Sequence, residues 1–324
     1  MVATPSTERT SHVLIIGASG FMGHFIAQAS LDSGQTTYVL TRSSSALSSS
    51  KIKALHDNGA IILHGDIEKH EVMVKIMKEH EIDIVISIVG GEAILHQLIL
   101  VHAIKSVGTI KRFLPSEFGH DVDRADPVEP GLSMYKEKRR VRQLVEESGI
   151  PYTYICCNSI ASWPYHDNIH PSDALPPLDH FDIYGDGSIK AYFVAGSDIG
   201  KFTMKTINDT RTVNKVVHFR PLVNHLNINE LACLWEKKIQ RTLPRRIVSE
   251  SDLLKAASEN IIPQSIVAAF THDIFFRGCQ TFFSVSGTKD VEIGDLYPDE
   301  CFRTMDECFE EFLMKLKEKP VEGS

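Results

Sequence analysis

Apolar, β-branched runs alternate with helical periods through the first half of the chain. Val13–Ile16, Thr37–Thr41, Ala60–Leu63, Ile84–Val89, Arg112–Pro115 and Tyr152–Cys156 are short and rich in Val, Ile and aromatic residues, which predicts strands. Between them, Phe21–Ser33, Glu71–His80, Ala93–Ser106 and Tyr135–Ser148 carry the spacing of helices. Val- and Ile-rich strands joined by helix-length connections imply a parallel sheet covered on both faces. The expected fold is therefore α/β, a doubly wound parallel sheet of the Rossmann kind.

After about Ser159 this rhythm breaks. Trp163–Asp182 holds four prolines and three histidines without a period, which predicts a long loop with the character of a lid. Ile228–Ile239, Ser249–Glu259 and Phe302–Lys317 again look helical and predict a smaller C-terminal α/β region for substrate. The expected organisation is a polar lead-in over 1–11, a nucleotide-binding domain over 12–158, a substrate region over 159–317 and a frayed tail over 318–324.

Composition narrows the partners. A net charge of -8 gives no electrostatic footprint for nucleic acid. No apolar run is long enough to span a membrane, and the first residues lack the apolar core of a secretion signal, so the cytoplasm is the expected compartment. The six cysteines, Cys156, Cys157, Cys233, Cys279, Cys301 and Cys308, show no CxxC pair, so reduced structural thiols and no metal are expected. Asn208-Asp209-Thr210 matches a glycosylation sequon, but nothing routes the chain through secretion.

Candidate chemistry begins at Gly17-Ala18-Ser19-Gly20-Phe21-Met22-Gly23, which follows the first strand and opens the first helix. Gly17 permits a tight turn, Gly20 lets the backbone approach a pyrophosphate, and Gly23 allows close packing of helix on sheet. The alternative is a glycine-rich turn without ligand. The second strand ends Thr41-Arg42-Ser43-Ser44-Ser45, without the acid that reads a ribose 2′-hydroxyl. Arg42 suits a 2′-phosphate, with Ser43–Ser45 and Lys51 adding contacts, so NADPH is preferred over NADH. Arg42 as a solvated loop residue is the competing reading. Ser87-Ile88-Val89-Gly90-Gly91 ends the fourth strand, where Ser87, Val89 and Gly90 either border the ligand or only turn the chain.

The Tyr-x-x-x-Lys pair of short-chain dehydrogenases is absent, because Arg139 stands four residues after Tyr135. Lys138 is the substitute candidate. On a helix it shares an arc with Met134, Val141 and Val145, whereas Lys136, Arg139 and Arg140 point elsewhere. Arg142, one turn on, weakens that contrast. A desolvated lysine can move protons near neutrality, and a basic helix surface is the plain alternative. His120 follows the fifth strand in Ser116-Glu117-Phe118-Gly119-His120 and could relay protons beside Lys138 or be structural.

These motifs, with Gly149-Ile150-Pro151-Tyr152-Thr153-Tyr154 and Tyr184-Gly185-Asp186-Gly187, resemble the plant isoflavone reductase-like family. It includes pinoresinol-lariciresinol and phenylcoumaran benzylic ether reductases, atypical short-chain dehydrogenases, and the likeness runs from about Val13 to Phe312. Phe118–Val122 and Ile155–Trp163 are similar to the branch that reduces flavan-3,4-diols to flavan-3-ols in proanthocyanidin biosynthesis. The resemblance implies NADPH, a small flavonoid substrate, and catalysis by Lys138 and His120. It also implies that Lys138 and Asn158 face the cofactor, and that Met134, Tyr135, Ser159 and Ile160 line the flavonoid pocket. Similar chains often run further at the C-terminus, and the core site does not depend on that extension. Another reductase of the family and a non-catalytic NADPH-sensing regulator are the rival expectations.

Overall fold

A computed structural model describes residues 10–42, 49–161 and 176–318. The first half alternates β1 (His12–Ile16), α1 (Phe21–Asp32), β2 (Thr36–Thr41), α2 (Ser50–Asp57), β3 (Ile61–His64), α3 (His70–Glu79), β4 (Ile84–Ser87), α4 (Gln97–Val107), β5 (Arg112–Leu114) and α5 (Gly131–Ser148). There follow β6 (Thr153–Cys156), β7 (Ser159–Ile160), β8 (Phe181–Tyr184), β9 (Lys190–Val194), α6 (Gly196–Thr206), β10 (Lys215–His218), β11 (His225–Asn227) and α7 (Ile228–Ile239). The chain ends with β12 (Arg245–Val248), α8 (Glu250–Ser258), α9 (Gln264–Phe275), β13 (Asp290–Glu292), α10 (Ile293–Leu296) and α11 (Met305–Glu318). No helix among the described residues is long and apolar enough to cross a membrane.

The chain divides into two units that interleave along the sequence, rather than meeting at one point between 158 and 159. The first comprises 1–116, 141–153 and 200–213, and the second 117–140, 154–199 and 214–324. The first unit contains a five-stranded parallel sheet of order β3-β2-β1-β4-β5. Val13, Leu14, Ile15, Val39, Val85 and Ile86 are fully buried, as strands covered on both faces require. The strand order reverses beside β1, and ligands of open α/β sheets bind at such a point, beyond the strands' carboxyl ends.

Six strands were expected in this sheet, and β6 leaves it. Phe113 N–H donates to Pro151 O at 2.8 Å, and Tyr152 makes a single bridge to Phe113. Pro151 has no N–H to return, so the ladder stops there. Helix α4 begins at Gln97 rather than Ala93, because Gly91 turns through φ +54 into a short 3₁₀ segment over Gly91–Ile94.

The second unit holds three small sheets, β13-β10-β6, β11-β9-β7 and β12-β8. Their core gathers Phe181, Phe193, Trp235 and Phe309, packed by α7, α8, α9 and α11. The expected loop Trp163–Asp182 lies outside the described residues up to 175. At its far end Phe181 and Asp182 already belong to β8, where Phe181 is fully buried and pairs with Arg245.

Candidate functional site

The first unit carries one cluster of candidate residues, built by backbone geometry. Gly17 follows β1 at φ +95, and a Cβ there would stand 2.3 Å from Ile88 O. A Cβ at Gly23 would stand 2.2 Å from Gly17 O. Only glycine lets the first helix start this close to the strand ends. Gly20 caps α1, and His24 N–H is the first to close onto it, at 3.0 Å from Gly20 O. The amides of Phe21, Met22 and Gly23 therefore have no intrahelical acceptor, and the first turn carries no acid. This is an anion cradle.

Beside it a cavity of about 330 Å³ runs across the ends of β1, β2, β3 and β4. Gly17, Ser19, Arg42 and Val89, four of the expected cofactor contacts, line it. So do Leu40, Ile52 and Ile67, a slot of the character that suits a flat ring, and Asp66, Glu68 and His96. The two acids are engaged locally, Asp66 accepting from Glu68 N–H at 3.0 Å and Glu68 facing His96 at 3.2 Å. Arg42 is exposed at the end of β2, where the ribose-reading acid of NAD enzymes would stand. The glycine cradle, the α1 amides and Arg42 fit NADPH.

The remaining expected cofactor contacts are placed differently. Lys51 is exposed on α2 between Ser49 and Ile52, which line the cavity. With burial, its charge lowers the pKa of His24. Ser87 is fully buried and its hydroxyl has no hydrogen-bond partner among the described residues. Gly90 caps the 3₁₀ segment. Ser43–Ser45 lie outside the described residues.

A separate cluster of candidate residues lies in the second unit and is built by side chains. Lys138 is half-buried on α5, and its Nζ donates to Glu117 O at 2.8 Å. His120 Nδ1 and the Tyr135 hydroxyl share a hydrogen bond of 2.6 Å. Phe270, 135 positions beyond Tyr135 in the chain, stacks on the Tyr135 ring at 4.8 Å and meets His120 edge-on at 6.2 Å. Burial and the Lys138 charge bring the His120 pKa down to about 4, so the ring is uncharged near neutrality. Burial, followed by Cys279 and nearby acids, raises that of Tyr135 well above the usual phenol value.

The loop carrying His120 is held in uncommon geometry. Phe118 has φ +28 and Asn158 φ +59, and Asn158 N–H donates to Gly119 O at 3.0 Å. Left-handed non-glycine residues cost on the order of 1–3 kcal/mol each and persist where surroundings impose them. The Asn158 side-chain amide donates to Phe219 O at 2.9 Å. Met134, Ser159 and Ile160 are half-buried, and Ser159 Oγ accepts from Gln280 Nε2 at 2.8 Å. Arg139 turns onto the His120 loop, donating to Val122 O at 2.8 Å. Asp121, Cys156 and His218 bring possible ligand atoms within 4.8 Å of one another. The Arg124 guanidinium, on Asp121 at 3.1 Å and on Asp290 at 3.0 Å, supplies positive charge there.

Comparison with known proteins gives these features a context. The chain matches the NmrA-like family over residues 9–309. A leucoanthocyanidin reductase of Desmodium uncinatum is 61% identical over 320 residues, 98% of this chain and 83% of the relative. A ternary complex of leucoanthocyanidin reductase from Vitis vinifera aligns at 68% identity with a TM-score of 0.89, covering 94% of this chain and 100% of that one. A binary complex of that reductase with NADPH aligns at 67% identity with the same TM-score and coverage.

Proposed function

The chain belongs to the NmrA-like family, and on that premise we propose that it is an NADPH-dependent reductase of flavan-3,4-diols, converting leucocyanidin to the flavan-3-ol catechin. The likeness to leucoanthocyanidin reductases carries this reading. The cytoplasm is the compartment that goes with it, and a small flavonoid is the partner.

Gly17, the α1 amides and Arg42 would hold NADPH, which when bound supplies the hydride that ends on C4 of the substrate. Lys138, in its uncharged amine form and with His120 beside it, takes the proton of the A-ring 7-hydroxyl. The released electron pair expels the 4-hydroxyl, which takes a proton from solvent and departs as water, leaving a quinone methide. After reduction at C4 the 7-oxygen takes its proton back. His120, with a pKa of about 4, is a weak base, which leaves Lys138 as the base. The uncharged ring offers one nitrogen to Tyr135 and keeps the other for substrate. Each proton transfer assisted in this way contributes roughly 10²–10⁴-fold. Met134, Ser159 and Ile160 are assigned to the flavonoid's surroundings, and Asn158 to the cofactor's.

A substrate panel with NADPH, scored by product chirality, tests the reading. Leucocyanidin is expected to turn over to a single catechin stereoisomer. No turnover of any flavandiol alongside reduction of an isoflavone or a benzylic ether would replace the substrate class. NADPH binding with no turnover of any of them would favour a sensing role.

A further inference from the structure

Arg139 occupies the position where a Tyr-x-x-x-Lys pair would place its lysine, four residues after Tyr135. Its guanidinium turns onto main-chain carbonyls. Nε donates to Val122 O at 2.8 Å, Nη2 also reaches Val122 O, and Nη2 donates to Ala125 O at 3.0 Å. Asp123 Oδ1 lies 3.7 Å from Nε. Val122 is fully buried and Ala125 nearly so. Buried carbonyls need donors, and the planar fork of arginine serves two at once where a lysine would act as a point donor.

The segment so held is the one that carries His120. Lys138 grips its start at Glu117 O, and Arg139, the next residue on α5, grips it beyond His120. Asn158 N–H fastens Gly119 between them. On its other side, Arg124 joins Asp121 to Asp290, and Asp290 Oδ1 meets the buried His218 Nε2 at 2.8 Å. Of these anchors, Lys138 and Arg139 come from α5, the helix that also carries Tyr135.

We propose that Arg139 is a positioning residue, which sets the place of His120 against Tyr135 and Lys138 by holding the carbonyls of Val122 and Ala125, without touching substrate. The proposal rests on the reading of His120 and Lys138 as the proton-moving pair. Displacing a catalytic group by about 1 Å costs up to roughly 10²-fold in rate.

The test uses the full chain with NADPH, and pairs kinetics with the imidazole resonances of His120 in a ¹⁵N-histidine-labelled sample. Arg139→Gln is expected to lower kcat on leucocyanidin by roughly 10- to 100-fold, to leave the Kd of NADPH within about twofold, and to move the His120 resonances. Arg139→Lys, which keeps one donor, is expected to recover part of the kcat and part of the resonance position. If Arg139→Gln does not fold, Arg139→Lys carries the same comparison. A kcat within about twofold of wild type for Arg139→Gln would overturn the proposal. So would a loss of kcat matched by a fall in Tm with the His120 resonances unmoved, because that outcome describes a purely structural arginine. Should the wild type itself fail on every flavandiol, the functional reading falls, while the resonances still decide whether Arg139 places His120.

Discussion

The glycine-built cluster of the first unit and the side-chain cluster of the second are made by different means. In the first unit the ligand's place is set by main chain: glycines that allow close approach, strand ends in register, and free helix amides. In the second, the candidate proton-moving groups are side chains, His120, Tyr135 and Lys138 from one stretch of chain and Phe270 from far beyond it. A backbone-built site fails through lack of space, and a side-chain-built site fails through the wrong proton or the wrong position. Cofactor affinity and turnover should therefore be separable by mutation.

The largest effect is expected at Lys138. Lys138→Ala should lower kcat by roughly 10²–10⁴-fold, about 3–5 kcal/mol, with NADPH affinity near normal in a titration. Lys138→Arg should lose nearly as much, since arginine stays protonated. An arginine variant with most of its activity would reduce Lys138 to a fixed charge and shift the base to His120.

Gly17→Ala is the counterpart on the backbone side. Its φ of +95 and the 2.3 Å approach to Ile88 O leave no room for a methyl group. Backbone strain and overpacking together should cost about 3 kcal/mol in stability and abolish tight NADPH binding. Gly34 has φ +74 but nothing within 4 Å of a built Cβ, so Gly34→Ala should cost only about 1 kcal/mol and spare the cofactor. Equal effects on melting at the two positions would break the argument from space.

Arg42→Ala should weaken NADPH by about 1.5–3 kcal/mol while barely changing NADH, because only NADPH carries the 2′-phosphate. Equal weakening of both would remove Arg42 from the 2′-phosphate.

The smallest effect is a pH dependence. His120 in the folded chain has a pKa of about 4, below its ordinary value of 6.5, so between these values the unfolded chain binds more protons. Stability should therefore fall as pH drops from about 6.5 to 4, by an amount on the order of 2 kcal/mol once partial solvent access is allowed for. Glu292, raised by burial to about 7, acts in the opposite direction, so the comparison is between wild type and His120→Asn. The variant should show a flatter acid limb in urea titrations. An unchanged limb would mean that His120 is not held uncharged.

The two clusters also differ in how far they could be read from sequence. Gly17, Gly23 and the Val- and Ile-rich strands are local signals, and a tight strand–turn–helix leaves few alternatives to them. Arg42 was legible for the same reason, since it directly follows a recognisable strand. Phe270 was not, because nothing in Gln264–Phe275 marks a ring destined for Tyr135. The sheet β13-β10-β6 was equally hidden, since it joins three-residue β13 to a strand over 70 positions earlier. Helix α6 was missed because Gly196 and Gly200 argue against a helix. Yet a Cβ at Gly200 would meet Phe25 O at 2.5 Å, so that glycine is there for close packing on α1. Arg139 was read from helical phase as pointing away, and the phase could not show that a loop lies in its path.

The interleaving of the units bears on how the chain is made. Buried Arg112, at the start of β5, donates to Thr153 Oγ1 at 2.7 Å, Thr212 Oγ1 at 2.8 Å, Thr206 O at 3.3 Å and Asp209 O at 3.2 Å. During synthesis its guanidinium must wait for residues about a hundred positions downstream. The glycine cradle emerges from the ribosome first, but Arg112 at the start of the fifth strand lacks its acceptors at Thr206, Asp209 and Thr212 until that stretch of the 324-residue chain has been added. A nascent chain halted near residue 160 would thus hold a nucleotide-binding motif without a finished nucleotide-binding fold, and the order of translation sets the moment at which the cofactor can first be captured.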